Sequence, residues 1–155
     1  MFHQSLGSVE ISTVYAIPHA KNNLIADFSH IISSNHDVKM TPDHLLFAGQ
    51  CNTPLVLMKA VDVETGACIR TISGEEKVLS NDIVKASGIY TIITDKEFLV
   101  VNGIVASPFS RSHMMGNYFY FFYRAFYAIF PNFVTDDWFI RTYAAFSNLV
   151  LILSA

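Results

Sequence analysis

Charge and cysteine are both scarce in this sequence, and each shortage excludes a class of protein. Charged residues make up 15% of the 155 residues, hydrophobic residues make up 52%, and the net charge is -3. This much apolar side chain with so little charge excludes a disordered chain. The sequence has no basic stripe, which argues against nucleic acid as a partner. The length suits one domain with its own hydrophobic core.

Cys51 and Cys68 are the only cysteines. They form no C-x-x-C pair, and no two histidines have the spacing of ligands within one element, so we predict neither a metal site nor a cofactor. The sequence leaves open whether the two cysteines form a disulfide, and we expect them to be small core or surface residues rather than reactive thiols. No apolar run of signal-peptide length follows Met1, so composition leaves the compartment open.

Short runs rich in β-branched residues alternate with turn signals from Met1 to about Ser107, which predicts an all-β fold. The predicted strands cover residues 9–17, 24–33, 37–40, 44–48, 55–61, 67–72, 78–86, 89–94 and 98–107. Turn-like residues at 21–23 and 87–88 separate neighbouring strands, and Asn102-Gly103 is the strongest hairpin signal in the chain.

The last third of the chain is aromatic and has the spacing of helices. Phe122, Phe126 and Phe130 recur at every fourth position, which predicts a helix over residues 118–130 that ends at Pro131. With Thr135 as its N-cap, a second helix is predicted from about Asp136 to Leu153. The two helices would form a hairpin.

Arginines interrupt both predicted helices, since Arg124 lies in the first and Arg141 in the second. Neither helix is therefore a comfortable single membrane span. Two alternatives remain open for the hairpin. Its aromatic faces could lie in a membrane interface with the arginines toward water, or it could pack on the β-domain or on a partner.

The sharpest local feature is Thr41-Pro42-Asp43-His44, followed by an apolar run. Pro42 fixes φ and removes a hydrogen-bond donor, which predicts a bend between strands. A bend can aim the Thr41 hydroxyl and the His44 imidazole at one point, where they would polarise a peptide carbonyl and protonate a leaving amine. A lone histidine beside an apolar run is more often structural, so the tetrapeptide alone is weak evidence.

Four blocks of the chain, in order and spacing, resemble the Hint domains of hedgehog proteins. The blocks are VYAIPHAKNNLIADFSHI at 14–31, MTPDHLLFA at 40–48, VLMKAVDVETGACI at 56–69 and GIYTIITDKEFLVVNGIVAS at 88–107. The resemblance implies a mainly β, pseudo-two-fold horseshoe shared with inteins, here lacking its first strands and followed by the aromatic hairpin. Residues 1–108 would form the partial Hint β-domain, and residues 109–155 the helical region that contacts sterol or lipid.

The resemblance also implies an activity, which is self-cleavage. In that family a cysteine at the first residue of the domain attacks the preceding peptide carbonyl, and a second nucleophile takes the acyl group from the thioester. That acceptor is cholesterol in hedgehog proteins, and water or a thiol can replace it. On this match Thr41 and His44 assist the first step. The implied partners are the cleaved upstream segment, a sterol or lipid acceptor and a membrane interface, in the secretory pathway or outside the cell.

The chain departs from the family at three places. The opening block with the nucleophilic cysteine has no counterpart, so we expect no self-cleavage from these residues alone. His19 stands where the family has its sterol-activating carboxylate, and it is either the base for another acceptor or an exposed turn residue. Pro108 replaces a cysteine that many members carry. A function of a different class, a non-catalytic membrane- or lipid-binding module on a degenerate Hint scaffold, is therefore the alternative.

The other histidines and the acidic residues near turns are expected at the surface, in contact with solvent. These histidines are His3, His30, His36 and His113, and these acidic residues are Asp62, Glu64, Glu75, Glu76, Asp82, Asp95 and Glu97.

Overall fold

Antiparallel strands make up most of the fold in the computed structural model of the protein, which describes residues 9–94, 96–110, 113–130, 138, 139 and 142. The strands are β1 (Val14–Ser33), β2 (Asp37–Met40), β3 (His44–Gly49), β4 (Val56–Lys59), β5 (Cys68–Thr71), β6 (Gly74–Thr94), β7 (Leu99–Val101) and β8 (Ile104–Ser110). A 3₁₀ turn spans Ala60–Asp62, and the helix α1 spans His113–Ile129. The strand order is β2-β1-β6-β5-β3-β8-β7, with β4 also paired to β3. The predicted mainly β fold is confirmed.

β1 and β6 pair along nearly their whole lengths and form a long ribbon. The prediction of two shorter strands in place of each was wrong. Lys21 pairs with Ile89 and Ile25 with Ser87, so β1 advances four residues where β6 advances two. The expected turn at residues 21–23 is thus a bulge inside β1. Gly88, with φ +94, lies across from it and takes a left-handed conformation that favours glycine.

The hairpin predicted at Asn102-Gly103 is confirmed between β7 and β8. Asn102 has φ 49 and Gly103 has φ 80, and a positive φ at both central residues is the property of a type I′ turn. The tip packs closely on a neighbouring turn, because a Cβ added to Gly103 would lie 2.2 Å from the His36 ring. Asn102 Nδ2 donates to the Asp37 carbonyl at 3.2 Å.

The buried apolar residues form two clusters. The larger lies within the short-stranded part of the sheet and contains Ile31, Val38, Met40, Leu46, Ala48, Ala60, Val63, Ile69, Val78, Ile104 and Ala106. The smaller joins α1 to the end of the ribbon and contains Ile93, Phe109, Tyr120 and Tyr123. The fold therefore has two packed cores with β1, β6 and β8 running between them.

α1 begins at His113, five residues before the predicted start, and packs on the sheet through its tyrosines. Tyr120 and Tyr123 are buried. Gly116 lets the helix approach Phe109, whose ring a Cβ at that position would meet at 2.5 Å. Arg124, which is half-buried, donates through Nε to the Thr94 carbonyl at 2.8 Å. The helix is thus fastened to the end of the β6 strand, which favours packing on the β-domain for this face.

The phenylalanines that predicted the helix lie on its other face. Phe122 is 47% exposed, Phe126 49% and Phe130 56%. Of the second predicted helix, only residues 138, 139 and 142 are described, and Thr135 and Arg141 lie outside the described residues. Among the described residues, no helix combines the length and apolar character that crossing a membrane requires.

Cys51 and Cys68 are joined by a disulfide, with their Cα atoms 4.9 Å apart. The sequence left this pairing open, and the structure decides it in favour of the disulfide. The bond ties the turn that follows β3 to the first residue of β5. Both thiols are consequently unavailable as nucleophiles, because a disulfide sulfur has no thiolate to offer.

Candidate functional site

The bend predicted at Thr41–His44 is present and joins β2 to β3. The His44 backbone N–H donates to the Thr41 carbonyl at 2.9 Å, which closes the turn. Behind it, the Val61 N–H donates to the Pro42 carbonyl at 3.0 Å. Because both bonds run through the backbone, the turn is held without using the Thr41 hydroxyl or the His44 imidazole.

Thr41 and His44 line the same cavity, whose volume is about 460 Å³. The walls are mostly apolar and include Phe28, Val38, Met40, Ile93, Leu99, Ala106, Phe109 and Tyr120. The Thr41 hydroxyl makes no hydrogen bond with any residue that the structure describes. A hydroxyl and an imidazole at the edge of an apolar cavity can donate to a carbonyl and exchange a proton with a reacting group.

The His44 imidazole is oriented by one hydrogen bond, from Nε2 to the Ser107 carbonyl at 2.8 Å. A carbonyl only accepts, so Nε2 carries the proton and Nδ1 of the neutral ring keeps its lone pair. Burial lowers the pKa of His44, and the bond to Ser107 opposes that shift in part. The imidazole is therefore mainly neutral at neutral pH, with Nδ1 able to accept a proton.

Ser107 lies in an irregular stretch of β8. His44 pairs with Ser110 and Leu46 with Ala106, so β8 advances four residues where β3 advances two. A bulge of this kind redirects the groups of the strand that contains it. Pro108 adds to the irregularity because it has no N–H to donate.

A second histidine is bonded to the same serine. Ser107 Oγ lies 2.8 Å from His113 Nδ1, and His113 Nε2 lies 2.9 Å from Glu97 Oε1. We call His44, Ser107, His113 and Glu97 the His44 network. The surface position expected for His113 was wrong, since its side chain is only 11% exposed. The one signal that points to it is a histidine six residues after the A-S end of the last Hint-like block.

A separate polar cluster surrounds Glu76. Its carboxylate accepts from Ser33 Oγ at 2.8 Å and from the Asn35 N–H at 3.1 Å, and it lies 2.8 Å from His36 Nδ1. We call these four residues, with Thr71, the Glu76 network. Glu76 was expected in solvent and is buried at 8% exposure. His36, expected at the surface, is partly buried at 19% side-chain exposure.

The pKa of Glu76 reflects two opposing causes. Burial alone raises the pKa of a carboxyl group, but the hydrogen bonds from Ser33, Asn35 and His36 favour the charged form. Together the bonds prevail and hold the pKa of Glu76 below its ordinary value. The Glu76 network thus contains a stabilised carboxylate, and none of its members lines the 460 Å³ cavity.

His19, the third predicted site residue, lies within β1 opposite Thr91, and the bulge rather than a turn follows it. Thr91 lines the cavity. The side chain of His19 lies outside the described residues, as does all of His3. His30 pairs with Asp37 through Nε2 at 3.1 Å. In the described ranges, no three His, Cys, Asp or Glu side chains group in a way that could hold a metal ion.

Comparisons with known proteins agree on the kind of domain. A family model described as a Hint module matches residues 3–148. Warthog protein 6 of Caenorhabditis elegans is 31% identical over 111 residues, which are 66% of this chain and 19% of that protein. The chain therefore spans about a fifth of the length of that relative.

Two intein crystal structures also match. The VidaL intein (selenomethionine variant) has 17% identity and a TM-score of 0.46, over 59% of this chain and 61% of its own. The PabCDC21-1 intein has 18% identity and a TM-score of 0.47, over 57% of this chain and 56% of its own.

Proposed function

Because the chain belongs to the Hint module family, we propose that it is an autoprocessing domain that cleaves the peptide bond before an upstream cysteine and passes the acyl group through a thioester to an alcohol or to water. One observation carries the proposal: Thr41 and His44 line a single cavity, and the imidazole is fixed by Ser107 with Nδ1 as its proton acceptor. The cysteine would come from a segment upstream, since both cysteines of this chain are in a disulfide.

In the first step, His44 Nδ1 takes the proton of the cysteine thiol, and the sulfur attacks the preceding carbonyl carbon. The Thr41 hydroxyl donates to the carbonyl oxygen as negative charge develops there. The C–N bond then breaks, and the proton on Nδ1 passes to the leaving amine. A thioester and a neutral imidazole remain. The lowered pKa of His44 suits this exchange, because the ring must begin without a proton.

In the second step, an acceptor hydroxyl attacks the thioester carbonyl, and the thiol leaves. We propose a sterol or another lipid alcohol as the acceptor, with water as the competitor, because most of the cavity wall is apolar. His19 is proposed as the base that takes the acceptor's proton, on the ground that its strand partner Thr91 lines the cavity. His19→Ala should spare thioester formation and slow acyl transfer. Equal slowing of both steps would make His19 structural.

The test needs the upstream cysteine that the proposal invokes. A cysteine-led Hint opening segment and a reporter protein are joined to the N-terminus of the chain, which gives what we call the extended protein. Hydroxylamine should release the reporter by cleaving the thioester, and the same protein with that cysteine changed to alanine should release none. Incubation with cholesterol in vesicles then identifies the acceptor from the mass of the released reporter. A folded extended protein that releases nothing refutes the proposal.

The exposed face of α1 favours a second candidate function, which is binding to a membrane surface. This face consists of Met114, Tyr118, Phe121, Phe122, Phe126 and Ile129, and the exposed Phe130 directly follows the helix. Adjacent exposed aromatic side chains of this kind suit the interface between lipid headgroups and acyl chains. The chain should float with phosphatidylcholine vesicles, and Phe122→Ser with Phe126→Ser should weaken flotation. Ile83→Ser is the control, since Ile83 is a comparably exposed apolar side chain on the β6 strand and does not line the cavity. A chain that stays in the bottom fraction of the gradient, away from the vesicles, contradicts this second function.

A further inference from the structure

We infer that His113, held by Glu97, is a positioning residue for His44, and that it acts by fixing Ser107. This rests on the proposed function, because it assigns a reason for the orientation of the imidazole that would catalyse the first step. His113 itself lines no part of the cavity. Its influence on the reaction would pass through the Ser107 carbonyl, which is the partner of His44 Nε2 at 2.8 Å.

The hydrogen bonds of the His44 network follow from which groups can donate and which can accept. The Glu97 carboxylate only accepts, so His113 Nε2 carries a proton and donates it at 2.9 Å. His113 Nδ1 forms the next hydrogen bond, to the Ser107 hydroxyl at 2.8 Å. The Ser107 oxygen also accepts from the Phe109 N–H at 3.0 Å. The Ser107 hydroxyl is therefore held by two hydrogen bonds, one to His113 and one to the Phe109 N–H.

These bonds hold the bulge of β8 in shape. The bond from the Phe109 N–H folds the chain back on Ser107 across Pro108, and the bond to His113 ties this fold to α1. The carbonyl of Ser107 belongs to the same peptide unit that enters Pro108. The direction of the Ser107 carbonyl is thus limited by the hydrogen bonds that hold the serine and by the fixed φ of Pro108.

His113 is itself held firmly. Its ring stacks on Phe98 at 4.6 Å between centroids with only 5° between the planes. Glu97 accepts a further bond from Asn117 Nδ2 at 3.2 Å. A ring that is stacked on Phe98 and held by two hydrogen bonds can determine the position of the serine, whereas a mobile ring could not.

Serine, histidine and glutamate in this order also resemble the triad of a hydrolase, and burial argues against that function. Ser107 is only 1% exposed. Although Ser107 lines the cavity, its oxygen already accepts the Phe109 N–H, so attack on an acyl group would have to displace that bond. A positioning role requires no such change.

The first readout is the protonation site of the His44 ring, measured by nitrogen-15 NMR on the chain itself. We expect Nε2 to carry the proton in the unaltered chain. His113→Ala and Ser107→Ala should each produce a mixture of the two tautomers, or a faster exchange of the Nε2 proton with water. His30→Ala is the matched control, since it breaks another imidazole–carboxylate pair, His30 to Asp37, that has no contact with Ser107.

The second readout is the rate of thioester formation in the extended protein. His113→Ala should lower it by roughly 10- to 100-fold, since misplacing a catalytic group by about 1 Å costs on that order. Glu97→Gln should lower it less, because an amide oxygen still accepts from Nε2. If His113→Ala no longer shows the amide spectrum of the folded chain, His113→Asn is tested instead. Its smaller side chain still carries a hydrogen-bond donor and an acceptor.

Two results would overturn the inference. One is an unchanged His44 tautomer and an unchanged rate in folded His113→Ala. The other is a slower reaction with the His44 tautomer intact, which would mean that His113 acts by another route. If the unaltered extended protein does not cleave, the proposed function fails, whereas the NMR measurement still decides whether His113 orients His44.

Discussion

The His44 network and the Glu76 network each contain a histidine bonded to a glutamate. They differ in whether a hydrogen-bonding atom remains available at the cavity. Each joins a histidine to a glutamate, through His113 Nε2 to Glu97 at 2.9 Å in one and through His36 Nδ1 to Glu76 at 2.8 Å in the other. The Glu76 carboxylate is buried and surrounded by donors, and no member of that network lines the 460 Å³ cavity. The His44 network ends at that cavity, where His44 Nδ1 has no hydrogen-bond partner among the described residues.

The difference separates a stabilising polar cluster from a reactive one. A buried carboxylate that is fully hydrogen-bonded favours one conformation and leaves nothing for a substrate. A network in which one nitrogen at the cavity has no hydrogen-bond partner can accept a proton from a reacting group. Substitutions in the first network should therefore change the free energy of unfolding, and substitutions in the second should change the rate of reaction.

The largest effect is expected from His44→Ala in the extended protein. Loss of the group that carries the proton should lower the rate of thioester formation by roughly 10²- to 10⁴-fold. Reporter release by hydroxylamine, followed on gels over time, measures it. His36→Ala is the control from the other network and should keep the rate per folded molecule. A His44→Ala protein that cleaves at the normal rate would remove His44 from the mechanism.

Glu76→Ala should be the most destabilising change in the Glu76 network. It leaves the donors of Asn35 and His36 without their carboxylate partner and limits the Ser33 hydroxyl to the His36 carbonyl, at a cost of about 3 kcal/mol in the free energy of unfolding. Urea unfolding of the chain measures this value. Glu75→Ala, at the neighbouring partly exposed carboxylate, should cost less than about 1 kcal/mol. Equal costs at both positions would contradict the structural role of Glu76.

Gly103→Ala should destabilise the chain by about 2 kcal/mol, because it adds a contact to a strained backbone position. The φ of Gly103 is +80, and the new Cβ would lie 2.2 Å from the His36 ring. Gly66→Ala is the control, since Gly66 has a similar φ of +92 and the nearest atom to its added Cβ is Lys77 Cε at 3.8 Å. The difference between the two variants in urea unfolding isolates the contact with His36. No difference would show that His36 moves away without cost.

The smallest effect is a change in the pH dependence of stability. The folded-state pKa of Glu76 lies below the unfolded value, so its carboxylate stabilises the fold above the unfolded pKa of about 4.3. That contribution is lost as pH falls through the folded pKa. The stability difference between the unaltered chain and Glu76→Gln should be largest above about pH 5 and should shrink below it. A difference that is constant across this range would contradict the lowered pKa.

Local features of this fold could be predicted from sequence, and features that depend on distant partners could not. The bend at Thr41–His44 and the hairpin at Asn102-Gly103 follow from proline, asparagine and glycine at fixed places. The continuity of β1 through residues 21–23 was missed because β6, far along the chain, supplies the partners. The burial of Glu76 was missed for the same reason, since Ser33 lies 43 residues away.

The helix shows a further limit of periodicity. Spacing of phenylalanines predicted that residues 118–130 are helical, and they are, up to Ile129. Periodicity alone could not say which face packs inward. The packing is decided by Gly116 against Phe109 and by the buried Tyr120 and Tyr123, whereas the regularly spaced phenylalanines remain exposed.

The division of the buried apolar residues into two clusters determines which residues a molecule bound at the site would contact. Val38, Met40 and Ala106 belong to the larger cluster, whereas Ile93 and Tyr120 belong to the smaller one, and all five line the cavity. The site therefore lies at the boundary between the two clusters. A bulky acceptor that fills the cavity would contact residues of both clusters at once.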